Sequence, residues 1–223
     1  MRNENFWQWF NQQAAPRLAM REISFRRIFD YLDTFDRPVC IVETGCARLP
    51  GNWEGDGQST VLFDEYIKCK LPGSIVHTVD LDPKATDFCK SVVSDKVIVH
   101  TGDSVRVLRE IGAQLTESSR TIDLLYLDSY DVDWDNPIPS AVHHLKELVS
   151  IIPWVRPETL VVVDDCALIC HAVFDAQDKL HLLATHTPPP LIGGKGLYVA
   201  QYATQVSAKI AFSHYQVGWT HLV

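Results

Sequence analysis

Short runs of β-branched and aliphatic residues recur along this chain, separated by stretches of helical period, and that alternation restricts the fold more than any other feature. Residues 39–43, 74–81, 96–101, 122–128 and 160–165 read as strands, and residues 60–70, 83–93, 104–115 and 140–152 as helices between them. Repeated strand–helix units predict an α/β fold: a Rossmann-like, doubly wound, mostly parallel seven-stranded sheet with helices on both faces. The unbroken apolar runs LLYL and LVVV fit strands buried on both sides. Residues 171–179 read as a further helix, and residues 182–187 and 196–202 as two closing, antiparallel strands.

Ahead of the first strand, residues 5–33 place Phe6, Phe10, Ile23, Phe29 and Leu32 at helical spacing, with a break near Pro16. This predicts an N-terminal helical extension over residues 1–36, serving as a lid or a dimer interface, and a main domain over 37–223, together one compact unit. The sequence has 223 residues, of which 46% are hydrophobic and 22% charged, which suits a single globular domain. A formal charge of −8 argues against broad affinity for nucleic acid or anionic membranes, since both require a basic face. No basic leader precedes a long apolar run, and no apolar run is long enough to span a bilayer, so a cytoplasmic protein is expected. Six cysteines, none in a CxxC pair, read as free thiols.

In parallel sheets of this kind ligands bind outside the carboxyl ends of the strands, so the residues at those ends carry the functional reading. The first strand ends in Glu43, Thr44 and Gly45, followed by a long polar loop with glycines at 55 and 57. It matches neither GxGxxG nor a phosphate loop. Ser59 or Thr60 can cap the next helix, whose amide-rich start suits a carboxylate. The second strand ends in Asp80-Leu81-Asp82: Asp80 is placed to accept from two ribose hydroxyls, and Asp82 to cap the helix that begins at Pro83. Gly102, Asp103 and Ser104 follow the third strand, where Asp103 either accepts from an exocyclic amine or caps the next helix. The fourth strand ends in Asp128 and the fifth in Asp164 and Asp165. Neighbouring parallel strands about 4.8 Å apart would bring these three carboxylates together, and a cation such as Mg²⁺ would relieve their repulsion.

ETG, VDLDP, GDS and LYLD, in that order over residues 38–202, resemble the motifs of class I S-adenosylmethionine-dependent methyltransferases. The strand-end aspartates are similar to those of metal-dependent small-molecule O-methyltransferases of the catechol, macrolide-sugar and cephalosporin-pathway types. The resemblance implies that S-adenosylmethionine is held by Glu43, Thr44, Gly45, Ser59, Asp80, Leu81, Gly102, Asp103, Ser104 and Asp128. It also implies a divalent ion, Mg²⁺ or another, on Asp128, Asp164 and Asp165. Relatives carry Lys or His three residues after the strand-four Asp; here Asp131 stands there, as the candidate base or a further ligand, with Asp128 beside it. His143, His144 and His171 are weaker candidates. The first loop also departs from the family by an insertion around residues 50–56.

The expected substrate is a small hydroxylated molecule, a sugar, catechol or polyketide-type product, with Trp53 and Trp134 either walling its entrance or pinning their own loops. The Gly193–Gly196 run reads as a hairpin or mobile loop before a strand. Alternatives are a metal-free O- or N-methyltransferase, a nicotinamide-dependent oxidoreductase and a non-catalytic scaffold. A homo-oligomer is compatible with the aromatic N-terminal helices.

Overall fold

The computed structural model describes residues 3–167, 169–174, 180–185 and 192–223, with backbone only for 169–174 and 180–185. The chain opens with helix α1 (Glu4–Trp9), passes through a π turn (Phe10–Ala14) and two 3₁₀ turns (Ala15–Arg17 and Ala19–Arg21), and enters α2 (Glu22–Leu32). Pro16 lies in the first 3₁₀ turn, where its missing N–H ends the preceding helical segment. Then follow β1 (Cys40–Thr44), the short helix α3 (Trp53–Asp56), α4 (Ser59–Lys68), β2 (Ile75–Asp80), α5 (Pro83–Val92), β3 (Val97–Thr101) and α6 (Ser104–Glu117). The second half runs through β4 (Leu124–Leu127), α7 (Ile138–Ile151) and β5 (Leu160–Val163). It continues with β6 (Ile169–Phe174), β7 (Leu180–Thr185), α8 (Leu197–Gln205), β8 (Lys209–Ser213) and β9 (Val217–Thr220).

Seven strands form one sheet in the order β3-β2-β1-β4-β5-β9-β8. The first five are parallel, β9 runs antiparallel to β5, and β8 antiparallel to β9. The sheet is therefore the mostly parallel, doubly wound, Rossmann-like one that the alternation implies. Its two faces carry two separate cores. One buries Phe6, Phe10, Phe25, Phe29, Phe63 and Tyr66 against Ile41, Val76, Leu124, Tyr126, Leu160 and Val162. The other buries Leu108, Ile111, Leu148, Ile151 and Val199 against Val42, Leu125, Leu127, Val161 and Trp219. Alternate positions of the central strands β1, β4 and β5 thus face different cores, so these strands are buried on both sides. Phe6, Trp7 and Phe10, placed by sequence on a lid or interface, pack into the first of these cores.

Three expectations for the last third require correction. Residues 171–179 do not begin as a helix: β6 pairs antiparallel with β7 in a separate two-stranded ribbon, while 175–179 lie outside the described residues. The strand expected at 182–187 overlaps β7 in that ribbon, not the main sheet, and residues 186 and 187 lie outside the described residues. The two strands of the ribbon are five residues apart in the chain and pair only with each other, so they form a hairpin outside the main sheet. Residues 196–202 are helical, a 3₁₀ turn (Gly194–Gly196) leading into α8, so the glycine run precedes a helix and not a strand. Val199 and Ala203, four apart, are buried on the inner side of α8, a spacing that a seven-residue window cannot tell from alternation. The closing strands are β8 and β9 instead.

Candidate functional site

The register brings Thr44, Val79, Leu127 and Val163 level across the four central strands, so β1, β2, β4 and β5 all end on one edge. Sequence order reverses between β1 and β4, and a crevice opens there. Two adjoining clefts share Asp80 and Ser129. One runs past Gly45, Arg48 and Ser59 to Asp128, Asp165 and Lys195, and the other past Leu81, Gly102, Asp103, Ser104, Tyr130 and His143.

On the first side, Gly45 has φ +81°, and a β-carbon there would lie 2.3 Å from the Asp128 carbonyl oxygen, so only glycine lets the two loops meet. Asp80 accepts from the Cys46 N–H at 3.3 Å and from the Asp82 N–H at 2.9 Å, which fixes its carboxylate between the clefts. Asp82 caps α5 through the Lys84 N–H, and Asp103 caps α6 through the Arg106 N–H. Leu81 stands exposed at the rim of the second cleft. Neither Ser59 nor Thr60 caps α4; Gln58 holds that place in a left-handed conformation. Thr60 instead donates to Glu43 at 2.7 Å and accepts from the Ala47 N–H, tying loop to strand. Glu43 is fully buried, and its second carboxylate oxygen has no partner among the described residues. Burial pushes its carboxyl up to about 7, despite the Thr60 hydrogen bond and the nearby Ser59 and Thr78 hydroxyls, which favour the charged form.

Beneath the second cleft lies a network whose centre, Glu147, sequence reasoning passed over. Glu147, buried on α7, accepts from Thr44 at 3.1 Å and Ser129 at 2.6 Å, and its carboxylate lies 3.3 Å from His143 Nε2. Ser104 Oγ lies 3.1 Å from the same nitrogen. Burial alone would raise Glu147; His143 and the hydroxyl donors more than reverse that. In turn the hydrogen bond to Glu147 raises His143. His144 is fully buried, bonded through Nδ1 to the Ser140 carbonyl, and burial pushes it down to about 4. The His171 side chain lies outside the described residues.

At the other end Asp128, Asp164 and Asp165 do converge, with one oxygen of each within 4.8 Å of the others. They are already neutralised from within the chain. Arg21 Nε donates to Asp164 at 2.8 Å, and Arg21 Nη2 to Asp165 at 3.0 Å. Lys195 Nζ bonds Asp128 and lies 2.9 Å from Asp165, which also accepts from Tyr215. Arg21 is further held by the Glu54 carbonyl at 2.8 Å and by the Tyr215 ring, 4.7 Å from its guanidinium carbon. Asp165 is pushed up by burial, but Lys195 and Arg21 hold it well below the usual carboxylate range. Asp128 stays raised: burial and the two neighbouring carboxylates outweigh Lys195 and Arg21. Neither cation was singled out from sequence. Arg21 sits in an N-terminal 3₁₀ turn, and Lys195 in a run that looked like a loop.

The oxygen donors have the chemistry that Mg²⁺ prefers, yet the arrangement does not fit one. An ammonium beside a divalent ion, about 3.5 Å away, would be repelled by roughly 9 kcal/mol at an effective dielectric of about 20. Asp131 is placed at the rim of the first cleft, largely exposed, in a two-pronged ion pair with Arg48 at 3.0 and 3.1 Å. Arg48 also bonds Asp56 at 3.2 Å, so it joins the first loop to the loop after β4. Trp134 packs on Ala167 and Tyr215 and against Gly194, and Trp53 on the first core beneath Arg17. Both tryptophans therefore pin their own loops. Among the described residues, no helix is long and apolar enough to cross a membrane.

No family model matches the chain, and no curated protein matches it in sequence. Solved structures do match in shape. One is the crystal structure of a "putative O-methyltransferase" from Klebsiella pneumoniae, 13% identical, with a TM-score of 0.50, covering 98% of this chain and 87% of that one. At that identity the likeness bears on architecture alone: the two chains share the doubly wound, mostly parallel sheet.

Proposed function

We propose that the protein is an S-adenosylmethionine-dependent methyltransferase that acts on a hydroxyl of a small molecule. The observation that carries this reading is the continuous pair of clefts at the switch point, joined at Asp80 and ending against a buried cluster of charges. Asp80 stands where one carboxylate can accept from both ribose hydroxyls. Exposed Leu81 offers an apolar surface to the base, with Ser104 and His143 at its polar edge, and Gly102 lets the backbone approach. Gly45 and the start of α4 at Ser59 face the amino-acid end, where helix amides favour a carboxylate. Glu43 and Thr44 act from behind, holding the first loop and the β4 end in place.

When bound, the cofactor supplies an electrophilic methyl group on a sulfonium. The chain's own task is to align an acceptor oxygen with it and take its proton. Asp128 lines the first cleft, and burial raises its affinity for a proton, so in its ionised form it is the residue placed to receive that proton. Lys195 remains charged because the three carboxylates outweigh its burial, and so donates a hydrogen bond without competing for the proton. The oxygen it holds can equally belong to the acceptor's neighbouring group. Asp131, paired with Arg48 at the rim, closes the cleft in this reading. The three carboxylates also suggest Mg²⁺-assisted transfer as a second reading, against which the two buried cations weigh.

Calorimetric titration with S-adenosylhomocysteine, with NAD⁺ as comparison, tests the proposal. Micromolar binding of the first, silence from the second and loss of binding in Asp80→Ala are expected. NAD⁺ binding, or no binding of S-adenosylhomocysteine to the folded wild type, would overturn it.

A further inference from the structure

We propose that Lys195 is the built-in cation of this site: its ammonium fills the place between Asp128 and Asp165 that a divalent ion would take. Resting on the methyltransferase reading above, it is then an N–H of Lys195, and not a metal, that holds the acceptor's oxygen.

Four observations carry the assignment. The ammonium bonds Asp128 and lies 2.9 Å from Asp165, so it bridges the two carboxylates from β4 and β5. With Arg21 on Asp164 and Asp165, the three carboxyl groups already meet two cations before any ion enters. The turn that delivers Lys195 is shaped to that end. Gly194 has φ +48°, and a β-carbon there would lie 1.9 Å from the Asp165 carbonyl oxygen. The Lys195 N–H donates to that same carbonyl at 3.0 Å, and the Gly193 N–H to Cys166 at 3.1 Å. A β-carbon on Gly196 would lie 2.4 Å from Cys166 Sγ. Glycines thus flank the lysine on both sides because the turn lies directly on the end of β5. Finally, Lys195 is almost wholly buried yet lines the first cleft; its ammonium bonds Asp128 and pairs with Asp165, and among the described residues no third group takes its remaining N–H.

Mn²⁺ alone, followed by the electron paramagnetic resonance signal of the free ion, tests the proposal. The wild type is expected to leave Mn²⁺ free up to about 1 mM. Lys195→Met keeps the length of the side chain, removes the charge and is expected to gain at least a tenfold tighter Mn²⁺ site. Adding Asp165→Asn to that variant should remove the gain. Stoichiometric Mn²⁺ uptake by the wild type, lost in Asp165→Asn, would overturn the proposal, as would a folded Lys195→Met that takes up no more Mn²⁺ than the wild type. Should Lys195→Met fail to fold, the wild-type titration alone decides. Failure of the methyltransferase reading shows separately, as silence toward S-adenosylhomocysteine in the same samples.

Discussion

Glu43→Gln probes a buried carboxyl with one unpartnered oxygen among the described residues. Glu43 is completely buried at the end of β1, with Thr60 on one carboxylate oxygen and nothing among the described residues on the other. Its carboxyl is pushed up from an ordinary 4.5 to about 7. The folded protein therefore binds a proton there that the unfolded chain releases above pH 4.5, and stability falls as the pH rises between those two values. At about 1.4 kcal/mol per unit, the interval of roughly 2.5 units is worth about 3 kcal/mol by pH 8. Gln cannot ionise, so the variant loses that slope. It also carries a fixed cost of about 1–3 kcal/mol, because one amide atom faces the unpartnered position. Urea unfolding of both proteins at pH 5, 6, 7 and 8 measures the effect. The variant should be the less stable at pH 5 and should gain on the wild type by about 2.5 kcal/mol between pH 5 and 8. If the two stability curves run parallel across that range, Glu43 is not an uncompensated buried acid, and the account of the β1 end is wrong.

Gly45→Ala should destabilise by at least about 2 kcal/mol, through its positive φ and the 2.3 Å approach to the Asp128 carbonyl, and should abolish S-adenosylhomocysteine binding. Thermal unfolding and calorimetry check the two effects. Arg48→Ala removes an exposed ion pair and should change stability by less than about 1 kcal/mol. Because Arg48 joins the two loops at the cleft mouth, the same variant should release S-adenosylhomocysteine several-fold faster in stopped-flow displacement. His77 and His100, 3.2 Å apart on β2 and β3, are both held neutral, and burial pushes His77 down to about 4. The unfolded chain takes up a proton below pH 6.5 that folded His77 refuses, so stability is lost as the pH falls from 6.5 toward 4. His77→Gln should flatten that acid limb in urea unfolding.

Much of this site was legible before folding because a parallel sheet turns sequence order into spatial coincidence. Residues that end successive strands must share one edge, so Asp80, Asp128, Asp164 and Asp165 could be grouped without knowing a single contact. Asp82 as a cap followed from the Pro after it. Where the reading failed, two local patterns fitted the same residues. Residues 196–202 satisfy alternation and helical spacing alike, and only packing of Val199 and Ala203 against α7 selects the helix. Asp103, with two roles left open, is seen in its capping role.

The sequence by itself determined the five parallel strands of the sheet, their two buried faces and the acidic edge, because each follows from periodicity and from the direction in which strands run. Tertiary structure alone decided what neutralises that edge. Arg21 is 143 residues from Asp164, and Lys195 is 67 from Asp128. Neither lies at a strand end or in a motif. Three carboxylates specify only that some positive charge must be near them. Whether it is an ion from solution or a side chain depends on how the N-terminal turn and the Gly193–Gly196 turn pack onto β5, and that is settled by long-range contacts that leave no period in the chain.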